Sequence, residues 1–369
     1  MSKIKVLHVV HDFLFGGIEA FIFYLVQAQI ANENLEIGIL CCQDEDKVLN
    51  RRIMDLNVKI HYRKIGPFDL NLSTYLQIIS IANEYNIVQL HIFKPLLAEA
   101  FRFSKAKVIY TNHSSGDDLR SNSISFKIKN RLLVRFLNGI AHTVTNNSNY
   151  TKSFWISMGV TNRNNVVIYN GVFFNSSYDS ERAQNEYPLI SEKFIVGTTS
   201  RFITWKRIEY LIDAYSAFEI NKTDVVLLLV GDGTEKDRLV AYANSLGLKN
   251  VIFTGFKTNV IDYQTAMNVC VFASSSEPFG LVAVECLHLG KPTIVFEDGG
   301  GITEIVKEIE PKNIVMDVAD LSRLLDEKYN EFLSRKIDSM VKARIQYSEK
   351  FNVKAIEKEF YETYIKVSS

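Results

Sequence analysis

The run from Val269 to Gly301 leaves few options for the fold. Val269 to Phe272 is a short apolar stretch that reads as a buried strand, and Ser274 to Ser276 is a loop of small residues. A helix is expected to open near Pro278, because a first helical turn has no use for the N–H that proline lacks. It runs through Val284-Glu285-Cys286-Leu287 and stops at Gly290-Lys291-Pro292. Thr293 to Phe296 is a second apolar strand, ending in Asp298-Gly299-Gly300-Gly301. Alternating strands and helices of this kind imply a parallel sheet with right-handed crossovers.

The alternation fills the chain. Strands are expected at Lys3 to Val10, Ile37 to Cys41, Lys59 to Tyr62, Ile87 to Leu90, from Lys107 and from Thr143, with helices at Ala20 to Ala28 and Leu72 to Tyr85. Phe173 to Leu189 then turns polar and loses periodicity, which marks a hinge. The alternation resumes with strands from Phe194, at Val225 to Val230 and at Val251 to Thr254, and helices at Arg207 to Phe218 and Glu235 to Leu246. A chain of 369 residues with 47% hydrophobic content is too long for one ordinary core and suits two. The expected domains are 1–185 and 186–350, with a terminal helix at 351–369 crossing back onto the first.

A formal net charge of zero sets up no global field for nucleic acid. Cys41, Cys42, Cys270 and Cys286 form no C-x-x-C pair and no metal-ligand spacing, so buried free thiols in a reducing compartment are expected. The N-terminal strand is too short and too charged for a signal peptide, and no apolar run approaches a membrane span. A cytoplasmic protein is expected.

Several residues stand where a parallel sheet binds ligands, beyond the carboxyl ends of strands. Glu277 precedes the helix after the strand at 269–272, and Glu285 follows eight residues on, just over two turns along. A helix mouth offers free N–H groups and a favourable dipole to an anion. Carboxylates beside it accept hydrogen bonds from hydroxyls, so the pair suits a phosphorylated polyol. Arg201 and Lys206 flank a loop before a helix start, where the dipole disfavours cations, and their placement makes sense with an anion between them. The first strand leads through Gly16-Gly17 into a helix, a turn that lets a ligand approach the backbone but does not follow the G-x-G-x-x-G dinucleotide pattern. His113 follows the strand from Lys107; by position it serves a site or bonds its own loop. Asp44-Glu45-Asp46 has the D-x-D spacing of some metal sites but reads as a solvated acidic turn.

The string Glu277-Pro278-Phe279-Gly280-Leu281, with Glu285 following, resembles the signature of the family-4 retaining glycosyltransferases. The Gly16-Gly17-Ile18-Glu19 loop and the segment Val166 to Val172 resemble the same family. The resemblance covers nearly the whole chain. It implies a GT-B fold, two Rossmann-like doubly wound α/β domains facing across a cleft, the first binding acceptor and the second the nucleotide-sugar donor. It implies transfer of a sugar, with retention, from a nucleotide diphosphate to a hydroxyl of a glycan or lipid-linked acceptor, with a UDP-sugar as the expected donor and bacterial surface polysaccharide as the setting. Catalytic roles carry over to His113, Glu277, Arg201 and Lys206. Donor binding carries over to Gly16, Gly17, Arg201, Lys206, Phe256, Glu277, Phe279, Gly280, Leu281, Val282 and Glu285. No metal and no cofactor beyond the nucleotide-sugar co-substrate is implied, and the leaving phosphate would take the acceptor's proton on the same face. A nucleotide-sugar epimerase of the same architecture and a catalytically inactive nucleotide-sugar-binding subunit are the alternatives.

Residues 101–160 carry nine Lys or Arg against Asp117 and Asp118. Within them, 123–137 interleaves Lys127, Lys129, Arg131 and Arg135 with apolar residues. A basic amphipathic helix is a candidate for an anionic membrane surface, here the inner face of the plasma membrane; an ordinary domain helix with a charged outer face reads the same way.

Overall fold

The computed structural model describes residues 3–12, 17–45, 53, 55–66, 70–114, 124–174, 178–179, 181–335 and 337–369, less the side chains at 125 and 126. It divides into two compact units, Met1–Phe173 with Phe351–Ser369, and Phe174–Lys350. Each is built on a parallel sheet.

The first unit contains β1 (Ile4–Val10), α1 (Gly17–Ile30), β2 (Leu35–Cys41), β3 (Lys59–Tyr62), α2 (Leu72–Ala82), β4 (Ile87–Leu90), α3 (Pro95–Ala100), β5 (Lys107–Asn112), α4 (Ile124–Gly139), β6 (Thr143–Asn146), α5 (Asn149–Ser157) and β7 (Asn165–Val167). Its sheet order is β3-β2-β1-β4-β5-β6-β7. All pairs are parallel. The order reverses between β1 and β4, the switch point at which such sheets bind ligands. Both faces are covered, so the strands read as apolar runs rather than as alternations. Leu7 and Val9 join one core with Phe136, while Val6 and Val10 join the other with Phe21 and Phe360.

The second unit contains α6 (Arg182–Glu186), β8 (Phe194–Thr199), α7 (Ile208–Phe218), β9 (Val225–Val230), α8 (Lys236–Ser245), β10 (Val251–Gly255), α9 (Ile261–Ala266), β11 (Val269–Phe272), α10 (Leu281–His288), β12 (Thr293–Phe296), α11 (Gly301–Ile309), β13 (Ile314–Val315), α12 (Val318–Leu333) and α13 (Val341–Ser348). Its parallel sheet runs β10-β9-β8-β11-β12-β13, with the switch point between β8 and β11. The last helix, α14 (Val353–Ser368), returns to the first unit and packs on α1, placing Ile356, Phe360 and Tyr364 in its core.

The division falls at Phe173/Phe174, earlier than the 185/186 boundary read from the sequence. Residues after Phe173 already belong to the second unit. The Phe174 ring lies flat on His288 at 3.7 Å, Ala183 and Ile190 enter the core around Met267, and Arg182 binds Asp262 at 3.0 Å. A polar sequence does not make a linker when its few apolar and charged residues each find a partner. The four cysteines are free and buried. Burial pushes the thiols of Cys41 and Cys42 up to about 11 and about 12. Among the described residues no helix is long and apolar enough to cross a membrane.

Candidate functional site

In the second unit, the loops after β8, β11 and β12 converge at the switch point. Hydrogen bonds lock them together. Ser275 N–H donates to Trp205 O at 2.9 Å, and Ser276 N–H to Asp298 O at 2.9 Å. Glu277 donates its N–H to Gly299 O at 2.7 Å and accepts from Gly301 N–H at 2.6 Å, forming a parallel bridge with Gly300. This bridge corrects the expected helix start. Pro278 and Phe279 form a bend after that bridge, and α10 begins at Leu281 with Gly280 as its N-cap at φ +106. Gly280 also has a packing reason. A Cβ there would lie 2.5 Å from Ile302, so what approaches this backbone is α11 of the same unit. With no side-chain cap on α10, its first amides, Leu281 and Val282, have no intrahelical acceptor and face outward from the N-terminus.

Lys206 and Glu277 are brought together as an ion pair, with side chains only 12% and 15% exposed. Lys206 also lies 4.2 Å from the Trp205 ring centre. A cation and an anion are thus held just before the open end of α10. Arg201 is exposed and has no ion-pair partner among the described residues. Its loop is seated from below by the turn after β9, where Gly231 approaches so closely that a Cβ would meet Ser200 O at 1.8 Å. Phe202 N–H donates to Asp232 O at 2.9 Å across the same contact.

Glu285, one face along α10, is partly buried, and burial pushes its carboxyl up to about 7. Gln264 Nε2 donates to it at 3.3 Å and to Thr199 Oγ1 at 3.0 Å, while Gln264 Oε1 is buried with no hydrogen-bond partner among the described residues. Phe279 is buried at 2% exposure, so only its backbone is available to a ligand. Phe256, in contrast, is an aromatic ring 66% exposed beyond β10.

In the first unit, Gly17 begins α1, and Gly16 lies outside the described residues. His113 follows β5 and is buried at 7% exposure, with the Phe21 ring edge-on at 5.7 Å. Its Nε2 meets His91 Nδ1 at 2.9 Å, and His91 Nε2 meets His8 Nδ1 at 2.9 Å. Burial lowers all three rings, His8 and His113 to about 4 and His91 well below its usual value. His113 is therefore not a loop histidine bonding its own backbone. Its Nδ1 is buried and has no hydrogen-bond partner among the described residues. Asp44 pairs with Lys64 at 3.9 Å on the surface, as a solvated turn would, and Asp46 lies outside the described residues.

Five residues that shape these places carried no motif in the sequence. Arg207 was expected inside α7; instead it caps that helix at φ +47 and reaches into the neighbouring loops. Gln264 and Gln29 are buried glutamines inside helices. His8 and His91 interrupt or follow apolar strands, and a polar residue in such a strand is the signal that could have found them.

The helix α4 separates what the sequence interleaved. Leu133, Phe136 and Leu137 are buried, whereas Ile124, Ile128 and Leu132 are exposed at 76%, 51% and 41%. Lys127, Lys129, Arg131 and Arg135 are exposed alongside them.

Two family models match the chain, "Glycosyltransferase Family 4" over residues 15–173 and "Glycosyl transferases group 1" over residues 179–351. The chain is 24% identical to the N-acetyl-alpha-D-glucosaminyl L-malate synthase of Bacillus anthracis, across 71% of this chain and 69% of that protein. It is 25% identical to the O-antigen chain mannosyltransferase C of Escherichia coli, across 89% and 88%. Among solved structures, Anabaena Alr3699/HepE in complex with UDP and glucose superposes with a TM-score of 0.80 at 22% identity, covering 98% of this chain and 99% of that one.

Proposed function

From a chain that belongs to the family-4-type glycosyltransferases of the GT-B fold, we infer a retaining enzyme. It moves a sugar from a UDP-sugar to a hydroxyl of a glycan or lipid-linked acceptor in bacterial surface polysaccharide synthesis. The observation that carries this reading is the Lys206–Glu277 pair at the open N-terminus of α10.

Breaking the bond between a sugar and a diphosphate puts negative charge on the leaving group and positive character on the sugar. Lys206, Arg201 and the amides of Leu281 and Val282 are the preorganised donors for the first. Glu277 accepts hydrogen bonds from sugar hydroxyls, and Glu285 from ribose hydroxyls. Phe256 offers its exposed ring to the base. These cations do the work a divalent metal does in other transferases, so the reaction proceeds without one. In the first unit, which binds acceptor, His113 meets a hydroxyl of the reacting sugar. The departing phosphate takes the acceptor's proton on the face it leaves, giving retention without a second carboxylate nucleophile.

UDP in the Anabaena structure supports the choice of donor, and the O-antigen enzyme supports the choice of acceptor class. The exposed apolar and basic stripes of α4 support a place on the cytoplasmic face of the membrane, where a lipid-linked acceptor is presented. The test is incubation with a panel of UDP-sugars and lipid-linked acceptors, with and without EDTA. A new glycoside with the donor's anomeric configuration, formed in EDTA, is expected. An isomerised donor sugar, or binding without turnover, would overturn the reading.

A further inference from the structure

His8 lies in the middle of β1, and the two-residue period of a strand puts it on the same face as Val6 and Val10. That face is covered by α1 and α14. The His8 ring is fully buried there and stacks on His91 with centroids 5.2 Å apart, and His91 stacks on His113 at the same distance. Three parallel imidazoles thus cross from β1, past the end of β4, to the end of β5.

The line of hydrogen bonds through them has a direction. Gln29 Nε2 donates to the Tyr364 hydroxyl at 2.8 Å, which turns Gln29 Oε1 toward His8 Nε2, also at 2.8 Å. The Tyr364 hydroxyl in turn donates to Gln89 Oε1, and Gln89 Nε2 donates to Thr111 Oγ1 at 2.8 Å. Facing an amide oxygen, His8 Nε2 carries the proton, and in a neutral ring its Nδ1 is then an acceptor. His91 Nε2 must donate to it, leaving His91 Nδ1 as acceptor, and His113 Nε2 must donate to that. The opposite direction would end in a buried N–H at His113 Nδ1 with no acceptor among the described residues. Orphaned N–H groups are the rarer of the two in folded proteins. Burial keeps the rings neutral near pH 7, as this sequence of donors and acceptors requires.

We infer that Gln29, acting through His8 and His91, fixes the tautomer of His113, so that His113 offers a bare Nδ1 lone pair to a hydroxyl of the reacting sugar. Gln29, His8 and His91 are positioning residues, and the line is an orienting device. It is not a proton conduit, because the amide at its far end has no proton-accepting state near neutrality. A lone pair at Nδ1 selects a hydrogen-bond donor and disfavours phosphate or carboxylate, which bring only acceptors. The assignment of the ligand as a sugar hydroxyl rests on the proposed function; the tautomer does not.

The test is long-range proton–nitrogen correlation NMR on the full chain with nitrogen-15 histidine at pH 7.5. His113→Asn identifies the signals of His113 by their loss. The expected wild-type pattern is a protonated Nε2 and an unprotonated Nδ1. In His91→Phe, which keeps a flat ring in the stack but cuts the line, His113 should populate both tautomers. The kcat for transfer should fall about tenfold, with little change in donor KM, as loss of one transition-state hydrogen bond gives. Gln29→Glu retains an acceptor for His8 Nε2 and should retain the wild-type pattern. A wild-type His113 protonated at Nδ1, or a pattern unmoved in His91→Phe, overturns the inference. The tautomer is read in the free protein, so it decides the relay whether or not transfer is found. A failure of the transferase reading shows in the activity assay alone.

Discussion

Arg207 grips Asp298 with two hydrogen bonds, 2.8 Å from Nη1 and 2.6 Å from Nη2, and with its remaining donors holds the carbonyls of Ala273 at 2.6 Å and Ser274 at 3.3 Å. One guanidinium therefore ties the loop after β8 to the loops after β11 and β12. Arg207 does this from a left-handed backbone position that an arginine adopts only at a cost. Hydrogen bonds from a charged donor are worth on the order of 2 kcal/mol where they are shielded from water. Arg207→Ala should lower the melting temperature by a few degrees and weaken UDP binding, read by calorimetry. Arg207→Lys should recover little of either, because a single ammonium cannot reproduce the fork. Full recovery by lysine would show that charge alone holds the loops.

Lys206 and Glu277 should separate binding from chemistry. Lys206→Ala removes the cation proposed to face the leaving diphosphate and takes away the ion-pair partner of Glu277. Loss of one preorganised donor of this kind costs about 10²-fold to 10³-fold in kcat. Glu277→Gln keeps the size and the backbone bridge to Gly300, so the fold should be intact and UDP should still bind, while transfer falls by a similar factor. Wild-type turnover in Glu277→Gln, measured with the productive donor and acceptor, would remove Glu277 from the site.

The two sheets were legible in the sequence because parallel strands buried on both faces read as unbroken apolar runs. Val225 to Val230 and Val269 to Phe272 were expected at the bounds they occupy. The start of α10 was not, because Pro278 signals a helix start equally well whether it lies in the first turn or in the bend before it. The bridge of Glu277 to Gly300 decides, and that is a contact between loops far from one another in local pattern. Glu277 and Lys206 were singled out in the sequence, but their pairing was not, since each was assigned to a ligand. His8 was visible as a polar residue inside a strand. Its partners could not be found without the fold, because Gln29 and His91 come from α1 and the end of β4, and Tyr364, which orients Gln29, comes from the last helix.

Glu285 gives the site a pH dependence with a definite sign. Its carboxyl is raised by burial from 4.5 to about 7, so the folded protein holds a proton that the unfolded chain has already released across that window. This contribution to stability is fully present below pH 4.5 and is lost as pH rises through about 7. Glu285→Gln should remove that part of the decline in melting temperature. Donor binding should run the other way. On the proposed placement ribose hydroxyls donate to the ionised carboxylate, so affinity for the nucleotide sugar should rise as pH passes about 7 and lose that rise in Glu285→Gln. The diphosphate of a nucleotide sugar is esterified at both ends and has no proton to titrate there. Affinity that is flat from pH 6 to 8 in the wild type would place the ribose elsewhere.

The outer face of α4 makes the membrane proposal quantitative. Ile124, Ile128 and Leu132 recur every four residues and stand exposed, and Lys127, Arg131 and Arg135 recur at the same interval beside them, with Lys129 exposed as well. A helix whose apolar residues all served the core would bury them as it buries Leu133, Phe136 and Leu137. Each Lys or Arg near an anionic surface contributes about 1 kcal/mol, so four amount to roughly 10³-fold in partitioning at low salt. The measurement is flotation with vesicles rich in phosphatidylglycerol. Wild type should rise with them, less so at high salt. The protein with Lys127, Lys129, Arg131 and Arg135 all changed to Ser should stay at the bottom of the gradient. Ile128→Ser combined with Leu132→Ser should weaken recovery at high salt most, where apolar insertion is all that remains. None of these positions touches the sites described above, so transfer to a water-soluble acceptor should be unchanged in every variant. Equal recovery of wild type and the fourfold variant would make the basic face of α4 an ordinary solvated one.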